Sequence, residues 1–596
     1  MIHVRERLLR GLPVSSGIAV GRAFVYRAYL PRVPEKVLSS DEVEAEVRRF
    51  EEAVSSVESE LRRLHGQVLR HMGRDFAEFI DVQLALLRDE EVLSRTVAYI
   101  RKRLRNAEFA YGAVLQEFVQ HGGLVEAPFF VERRLDLGDV SRRVLSQLLG
   151  EELPSLHSMG GGSIVVAHDL PPSEAALLDP SKVVGVVLEA GGKTSHTAIM
   201  AKAKEVPAVV GVEGLMRRIC GGETLLVDGY RGLVVVNPTP DRLSTYKVEV
   251  LEQQRRRRSL RALSCEEPIT LDGKRVDLSA NIEFAFEARV AKDNGARGIG
   301  LFRTEYMYLA RRRPPTEDEQ YETIAEVARM MQPFPVIVRT FDLGGDKIVP
   351  GYFESNPFLG WRAIRMCLDN EDFFRTQLRA IVRASALGSV KIMFPMVATL
   401  EELRRAKLLV WRVCRELRAK KVTHVQDVEI GVMIETPSAA LLADRFAQEC
   451  SFLSIGSNDL TQYTLAVDRG NKRVATLFDH FHPAVLQLVD RTIQAAHRQG
   501  VWVGMCGEFA SDPMGILLLL GLGIDEISVT PSLIPEAKNT IRAIHAGLAA
   551  TVARQALDMG TALEVHRLLR REVHRRFPQL EAALVRPGVK GDSVGR

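Results

Sequence analysis

The chain has 596 residues, more than one compact core holds, so we expect about three or four domains. Its 80 basic and 76 acidic residues leave a net charge of +4, which gives no reason to expect a nucleic acid or a membrane surface as partner. No run approaches the roughly 20 apolar residues that span a bilayer, and six cysteines without CxxC spacing are typical of free thiols, so we expect a cytoplasmic protein.

The first predicted domain is an α/β domain that helices interrupt. Residues 17–26 (GIAVGRAFVY) are strand-like, and more β-branched runs follow a glycine joint at residues 159–163. Between them, apolar residues at spacings of three and four predict several amphipathic helices. We therefore predict that residues 1–36 and 153–238 form one α/β domain and that residues 37–152 form an inserted helical domain.

Residues 239–264 are predicted to be a linker helix, with four arginines at residues 255–258. This run could bind an anion or RNA. A solvated helix face is favoured, because no aromatic residues interleave with the arginines.

From residue 265 onward, strand and helix patterns alternate. Eight strands are predicted, at residues 275–281, 298–303, 335–341, 390–395, 429–434, 452–456, 501–505 and 526–529. Eight β/α units predict a C-terminal (β/α)8 TIM barrel over residues 265–550, with its chemistry at the carboxyl ends of the strands. Residues 551–596 are predicted to be a tail, formed by a basic helix and a disordered end.

Charged and polar residues cluster at the predicted strand ends. They are Arg303, Arg339, Lys347, Glu435, Asn458, Asp459, Arg469 and Cys506. A surface salt bridge is the ordinary interpretation of any single arginine, but the whole set favours a small, densely anionic substrate, since planar guanidinium forks match phosphate and carboxylate. Glu435 and Asp459 could hold one Mg²⁺ together with substrate oxygens.

The stretch GGKTSHTAIMAK places His196 at or near the start of a predicted helix. The free N–H groups and positive dipole of that end favour a phosphoryl group and a neutral imidazole. A plain cap or surface histidine is the commoner outcome of such spacing.

Several stretches resemble the enzyme I family of the phosphotransferase system, from about residue 11 to residue 544. They are GGKTSHTAIMAK, GIGLFRTEYMY, PTEDEQ, VIVRTFDLGGDK, NPFLGWRAIR, GVMIETPSA, SIGSNDLTQYTLAVDRGN and GMCGE. The resemblance implies a multidomain α/β protein in which a swivelling phosphohistidine domain serves the barrel and a carrier in turn. It implies a kinase that moves the phosphoryl group of phosphoenolpyruvate to His196 and then to the histidine of HPr, releasing pyruvate as the first step of sugar transport.

The resemblance also implies roles for individual residues. Phosphoenolpyruvate would contact Arg303, Arg339, Asn458, Asp459 and Arg469. Lys347 and Arg362, from VIVRTFDLGGDK and NPFLGWRAIR, complete the predicted substrate-binding set. Mg²⁺ would lie on Glu435 and Asp459, Cys506 would donate a proton, HPr would dock on the inserted helices, and the barrel would form a homodimer.

Two departures and two alternatives remain. Lys193 stands where arginine is usual, and Ala175 where some members have a threonine near the phosphohistidine, and either could alter the rate. An ATP-using relative, such as a pyruvate-phosphate dikinase, would need a nucleotide-binding domain, which the predicted helices do not resemble. A phosphoenolpyruvate sensor without turnover would be expected to lack His196 or Cys506. The branch devoted to nitrogen regulation usually carries an added sensory domain, so sugar transport is favoured.

Overall fold

The computed structural model describes residues 6–26, 33–72, 74–121, 128–150, 156, 159–192, 196–309, 314–344, 356–471 and 473–580. The chain divides into two units, Met1–Gln253 and Gln254–Arg596. Within the described part of the chain, every helix is too short or too polar to cross a membrane.

An eight-stranded mixed sheet organises the first unit. Its strands are β1 (Arg7–Arg10), β2 (Leu12–Ser15), β3 (Ile18–Tyr26), β4 (Ser163–Ala167), β5 (Val183–Leu188), β6 (Ala208–Val210), β7 (Thr224–Asp228) and β8 (Leu233–Val236), in the order β1-β8-β7-β3-β4-β5-β6-β2. β3 pairs with β4 in parallel, with Tyr26 opposite Ala167. Buried β-branched residues such as Val166, Val187 and Val209 form the core of this sheet.

Five α-helices lie among the described residues between β3 and β4. They are α1 (Val43–Met72), α2 (Arg74–Leu87), α3 (Glu90–Arg103), α4 (Ala107–His121) and α5 (Pro128–Leu149). The predicted helical insertion into an α/β domain is therefore confirmed, whereas the exact domain boundaries stay predictions. The unit also contains α6 (Pro172–Ala176), α7 (His196–Ala203) and α8 (Leu215–Arg218), and α9 (Pro240–Ala262) follows the last strand.

The second unit contains a closed barrel of eight parallel strands, which confirms the predicted fold. They are β9 (Asp277–Ile282), β10 (Ile299–Arg303), β11 (Val336–Arg339), β12 (Val390–Phe394), β13 (Ile430–Ile434), β14 (Phe452–Ile455), β15 (Trp502–Met505) and β16 (Glu526–Val529). β16 pairs with β9 and closes the barrel. Leu301, Ile337, Met393, Met433 and Phe452 fill its interior.

Helices surround the barrel. They are α10 (Glu287–Asp293), α11 (Tyr306–Leu309), α12 (Glu317–Met331), α13 (Ile364–Asp369), α14 (Glu371–Ala384), α15 (Leu400–Ala419), α16 (Pro437–Leu441), α17 (Ala443–Ala447), α18 (Ser457–Leu465), α19 (Pro483–Arg498), α20 (Pro513–Leu522), α21 (Ile534–Arg542), α22 (Ala546–Leu557) and α23 (Ala562–Arg576). Capping boxes start α12, α15 and α23, where a threonine hydroxyl and a glutamate three residues later exchange hydrogen bonds with the backbone.

The predicted tail holds a helix that packs on the barrel. Val565, Leu568, Leu569 and Val573 of α23 are buried in the same apolar cluster as the outer faces of the strands. α22 crosses residue 551, where the predicted tail begins. The basic helix of the prediction is thus part of the folded unit, because its apolar residues recur at helical spacing. The predicted disordered end lies outside the described residues after residue 580.

Candidate active site

Arg339 lies at the centre of the barrel mouth. It ends β11 and is the register partner of Arg303 at the end of β10, because parallel strands bring their carboxyl ends to one side. Its side chain is buried and donates from Nη2 to Glu305 Oε1 at 2.6 Å. Burial alone would lower the pKa of Arg339, but Glu305, Asp342 and Glu435 raise it overall. Arg339 Nε is buried without a hydrogen-bond partner among the described residues, so this N–H is a donor left for an anionic ligand.

Arg362 is held by a bidentate ion pair with Asp342. Its Nη2 lies 2.9 Å from both carboxylate oxygens of Asp342, and Nε lies 3.1 Å from Oδ1. Nη1 donates to the Tyr463 hydroxyl at 3.2 Å, and Nη2 lies 3.8 Å from Asp459 Oδ2. Asp342 therefore fixes the plane and the charge of this guanidinium and occupies its Nε–Nη2 edge.

Arg303 is the more exposed of the two arginines on β10 and β11. Its Nη1 donates to Glu283 Oε1 at 2.5 Å, and both side chains are about one-third exposed, at 38% and 32%. Burial and the nearby Arg339 act to lower the pKa of Arg303, but Glu283 raises it overall. This guanidinium is thus a permanent cation at the rim of the mouth.

Two carboxylates on neighbouring strands fit a divalent cation. Glu435 follows β13, and Asp459 lies in the first turn of α18, which follows β14. Burial, together with the charges of Asp459 and Asp342, raises the pKa of Glu435 above its ordinary value, so a cation here would relieve a buried repulsion. A Cβ at position 456 would lie 2.9 Å from Glu435 Oε2, so Gly456 leaves the space that this carboxylate occupies.

No group of three or more His, Cys, Asp or Glu side chains among the described residues is arranged to hold a metal. One or two carboxylates completed by substrate oxygens and water are the usual ligand set of Mg²⁺. The pair Glu435 and Asp459 meets that requirement.

Cys506 is a buried thiol at the same level of the mouth. It directly follows β15, whose Met505 pairs with Ile455 of β14. Ile455 pairs in turn with Ile434 of β13, the residue before Glu435. The Ser454 hydroxyl donates to Cys506 Sγ at 3.5 Å, and Sγ–H donates to the Ile455 carbonyl at 3.7 Å. Burial raises the pKa of Cys506 to about 11, and Glu435 adds to the rise. The thiol therefore carries its proton at neutral pH.

The other predicted substrate residues differ in their setting. Asn458 Oδ1 accepts the amide hydrogen of Glu508 at 3.0 Å, which joins the first turn of α18 to the segment after β15. Arg469 is exposed in the loop after α18. Lys347 lies outside the described residues.

The predicted phosphohistidine belongs to the first unit. His196 is the first residue of α7, as the sequence predicts, and the preceding residues 193–195, including Lys193, are outside the described part. The next residue, Thr197, is buried and donates its hydroxyl to the Leu170 carbonyl at 3.1 Å. Ala175 is fully buried on α6.

Sequence reasoning missed the acidic partners of the arginines. Glu305 and Asp342 each hold a guanidinium, and Glu283 holds that of Arg303. The sequence contained a signal for these acidic partners, because Glu305 lies two residues after Arg303 and Asp342 lies three residues after Arg339. Asn281 was also missed. Its Nδ2 donates to the carbonyls of Cys506 and Ser528 at 2.9 and 3.1 Å, which fixes the backbone carrying the thiol.

Comparison with known proteins agrees with this geometry. Residues 257–546 match the family described as the phosphoenolpyruvate-binding domain of phosphoenolpyruvate-utilising enzymes, residues 10–133 match their N-terminal domain and residues 159–232 their mobile domain. The phosphoenolpyruvate-protein phosphotransferases of Bacillus sp. (strain S) and Geobacillus stearothermophilus are each 41% identical over 572 residues, which is 95% of this chain and 98% of each relative. That of Bacillus subtilis (strain 168) is 40% identical over 561 residues, 94% of this chain and 98% of the relative. The chain therefore belongs to the phosphoenolpyruvate-protein phosphotransferase family.

Proposed function

We propose that this enzyme transfers the phosphoryl group of phosphoenolpyruvate to its own His196 and then to the histidine of HPr, releasing pyruvate as the first step of a sugar phosphotransferase system. The observation that carries the proposal is the buried Arg339, which has one unused N–H beside a carboxylate pair and a protonated thiol. These are the groups that a small substrate with a phosphate, a carboxylate and a carbon to be protonated would use.

Each step follows from a residue at the barrel mouth. Arg339, Arg303 and Arg362 would bind the anionic oxygens, and Asn458 can donate to one of them through its amide N–H₂. The bond from phosphorus to the enol oxygen breaks as a bond to a nitrogen of His196 forms. The enolate of pyruvate that remains takes a proton on carbon from Cys506, and solvent returns a proton to the thiolate.

Enzymes of this family need a divalent metal ion. We propose Mg²⁺ on Glu435 and Asp459, where the bound ion would neutralise charge on the phosphoryl and enolate oxygens.

His196 and the barrel are in different units. The proposed reaction therefore includes a swivelling movement that brings His196 first to the substrate and then to HPr on the inserted helices.

A homodimer through the barrel unit belongs to the same proposal, supported by large apolar side chains exposed on that unit, such as Trp411 and Leu441. Sedimentation equilibrium would test it.

A cytoplasmic location is supported by the free thiols of all six cysteines.

Labelled phosphoenolpyruvate tests the central proposal. The wild-type chain should take the label in the presence of Mg²⁺ as an acid-labile, base-stable phosphoprotein, and HPr should remove it. His196→Ala should take none. Normal labelling of that variant, or labelling that HPr cannot discharge, would contradict the proposed function.

A further inference from the structure

A buried cluster of polar side chains joins the helical insertion to the sheet of the first unit. Asp139 on α5 is 2% exposed, and Arg142 and Arg143 of the same helix pair with it. The Ser173 hydroxyl on α6 donates to Asp139 Oδ2 at 2.6 Å, and Arg143 Nη2 donates to Ser173 Oγ at 3.1 Å. Arg143 Nε lies 3.2 Å from Asp139 Oδ2. Asp139, Arg143 and Ser173 thus form a closed hydrogen-bonded ring between α5 and α6.

Further contacts from both sides complete the cluster. Arg143 Nη2 lies 3.5 Å from Glu174 Oε1 on α6. Gln83 on α2 donates to Asp139 Oδ2 at 3.2 Å, and the Arg142 guanidinium lies 5.6 Å from the ring centre of Tyr26 at the end of β3. Arg143 Nη1 also pairs with Glu60 on α1, so three helices of the insertion meet a strand and a helix of the α/β part at one set of charges.

Such a cluster fixes a position more strictly than an apolar contact does. Charges removed from water are tolerated only where each has a partner in good geometry, so a small displacement leaves a buried donor or acceptor unpaired. An apolar surface can slide by a fraction of an ångström with little change in contact. The ring on Asp139 therefore allows the insertion one pose against α6.

The segment that the ring fixes also holds the helix of His196. Leu170 lies two residues before α6, and its carbonyl accepts the hydroxyl hydrogen of Thr197 at 3.1 Å. Thr197 directly follows His196 and is 2% exposed. α6 also packs against α7. The start of α7 is thereby connected to α5 through one short segment, residues 170–176.

We propose that Asp139, Arg143 and Ser173 are positioning residues for phosphoryl transfer to the carrier: they set the pose of the helical insertion relative to His196. The inference rests on the proposed function, in which HPr docks on the insertion while the bond from His196 to phosphorus breaks and a bond from the carrier histidine to phosphorus forms. A misplacement of about 1 Å in such a transfer can cost roughly 100-fold in rate.

Asp139→Asn in the full-length protein tests this inference, because it keeps the size of the side chain and removes the charge. Single-turnover transfer from the phosphorylated protein to HPr should slow by about 10- to 100-fold. The dissociation constant for HPr should stay within about twofold, since no docking surface is altered, and phosphorylation of His196 by phosphoenolpyruvate should also stay within about twofold.

Glu108→Gln is the matched control. Glu108 is also a buried carboxylate of the insertion, and its Oε2 accepts from Arg49 and Asn106 at 2.7 and 2.8 Å, both within the insertion. Both half-reactions should remain unchanged in this variant.

Ser173→Ala keeps the experiment decisive if Asp139→Asn does not fold, as judged by circular dichroism. It removes the bridging hydroxyl and leaves both charges, and it should slow transfer to HPr alone. The inference would be overturned if folded Asp139→Asn or Ser173→Ala transferred the phosphoryl group to HPr at the wild-type rate. An equal loss of rate in both half-reactions would also overturn it. Absence of phosphorylation in the wild type would instead reject the proposed function, and the inference with it.

Discussion

Replacement of Cys506 by alanine should separate the two halves of the reaction. General acids contribute about 10²–10⁴-fold, so pyruvate formation should slow by that factor when the thiol is removed. Exchange of the phosphoryl group between His196 and HPr should not change, because no carbon is protonated in that step. The contrast between the halves depends on the position of the thiol at the barrel mouth and not on its contribution to the fold.

The pH dependence of the wild type follows from the raised pKa of the thiol. With a pKa of about 11, roughly 0.01% of Cys506 is ionised at pH 7 and about 1% at pH 9. A thiol with the ordinary value of 9.0 would be half ionised at pH 9. Because only the protonated thiol donates, ionisation of Cys506 should lower the rate of pyruvate formation by about 1% between pH 7 and pH 9. A thiol with the ordinary pKa would lower it by about half.

Rapid quench of a single turnover measures both predictions. Pyruvate is quantified after mixing with phosphoenolpyruvate and Mg²⁺ between pH 7 and pH 9, and exchange with HPr is followed on the same preparations. Cys506→Ser is the matched control, because it keeps a donor of similar size with a higher pKa. Its rate of pyruvate formation should lie between those of the wild type and Cys506→Ala. Equal loss in both half-reactions would make Cys506 a structural residue. A fall in the wild-type rate centred at or below pH 9 would contradict the buried, protonated thiol.

Three further substitutions test other parts of the barrel. Arg339→Lys should lower kcat/KM for phosphoenolpyruvate by about 10- to 100-fold, since a point charge loses charge-assisted hydrogen bonds of roughly 1.5–3 kcal/mol. Glu435→Gln should weaken Mg²⁺ binding at least about tenfold by titration calorimetry, because one of two anionic ligands is lost. Glu526→Gln should stabilise the barrel at pH 8 more than at pH 5. Burial raises the pKa of Glu526 from 4.5 to about 7, so the unfolded chain loses this proton first, and stability falls by about 3 kcal/mol as pH rises through that window.

For each of these three substitutions, one result would contradict the prediction. Near wild-type kcat/KM in Arg339→Lys would remove this residue from the substrate clamp. Unchanged Mg²⁺ affinity in Glu435→Gln would place the cation elsewhere. A melting-temperature difference between Glu526→Gln and wild type that is equal at both pH values would show that Glu526 is not buried as a neutral acid.

Periodicity in the sequence was sufficient to predict the barrel, because buried parallel strands read as short apolar runs between helical patterns. Listing the residues after each run then placed Arg339, Glu435 and Cys506 at one face. The pairing of Arg362 with Asp342 could not be predicted in the same way, since the two residues are 20 positions apart and belong to no common helix or strand. Side-chain partners at such separations are fixed by tertiary packing and leave no periodic signal in the sequence.

For charged residues on predicted helices, sequence alone gives little information on whether they are exposed or buried. Asp139 and Arg143 are four residues apart on α5, a spacing that is equally typical of an exposed ion pair. Only the structure shows that Ser173, thirty-four residues further along the chain, approaches them. The exposed or buried state of a charge depends on such distant partners, and for that reason sequence alone does not distinguish a solvated helix face from an internal joint.

The insertion between β3 and β4 has a consequence for the order of folding. β3 leaves the ribosome before residues 27–162 have been made, and its parallel neighbour β4 follows only after them. The contacts among the inserted helices are local and should form early, whereas the central pair of the sheet must wait for a distant segment. Nascent chains that end inside the insertion should therefore contain helices without a completed sheet, and stalled chains of increasing length should gain protease resistance at β3 only once β4 has emerged.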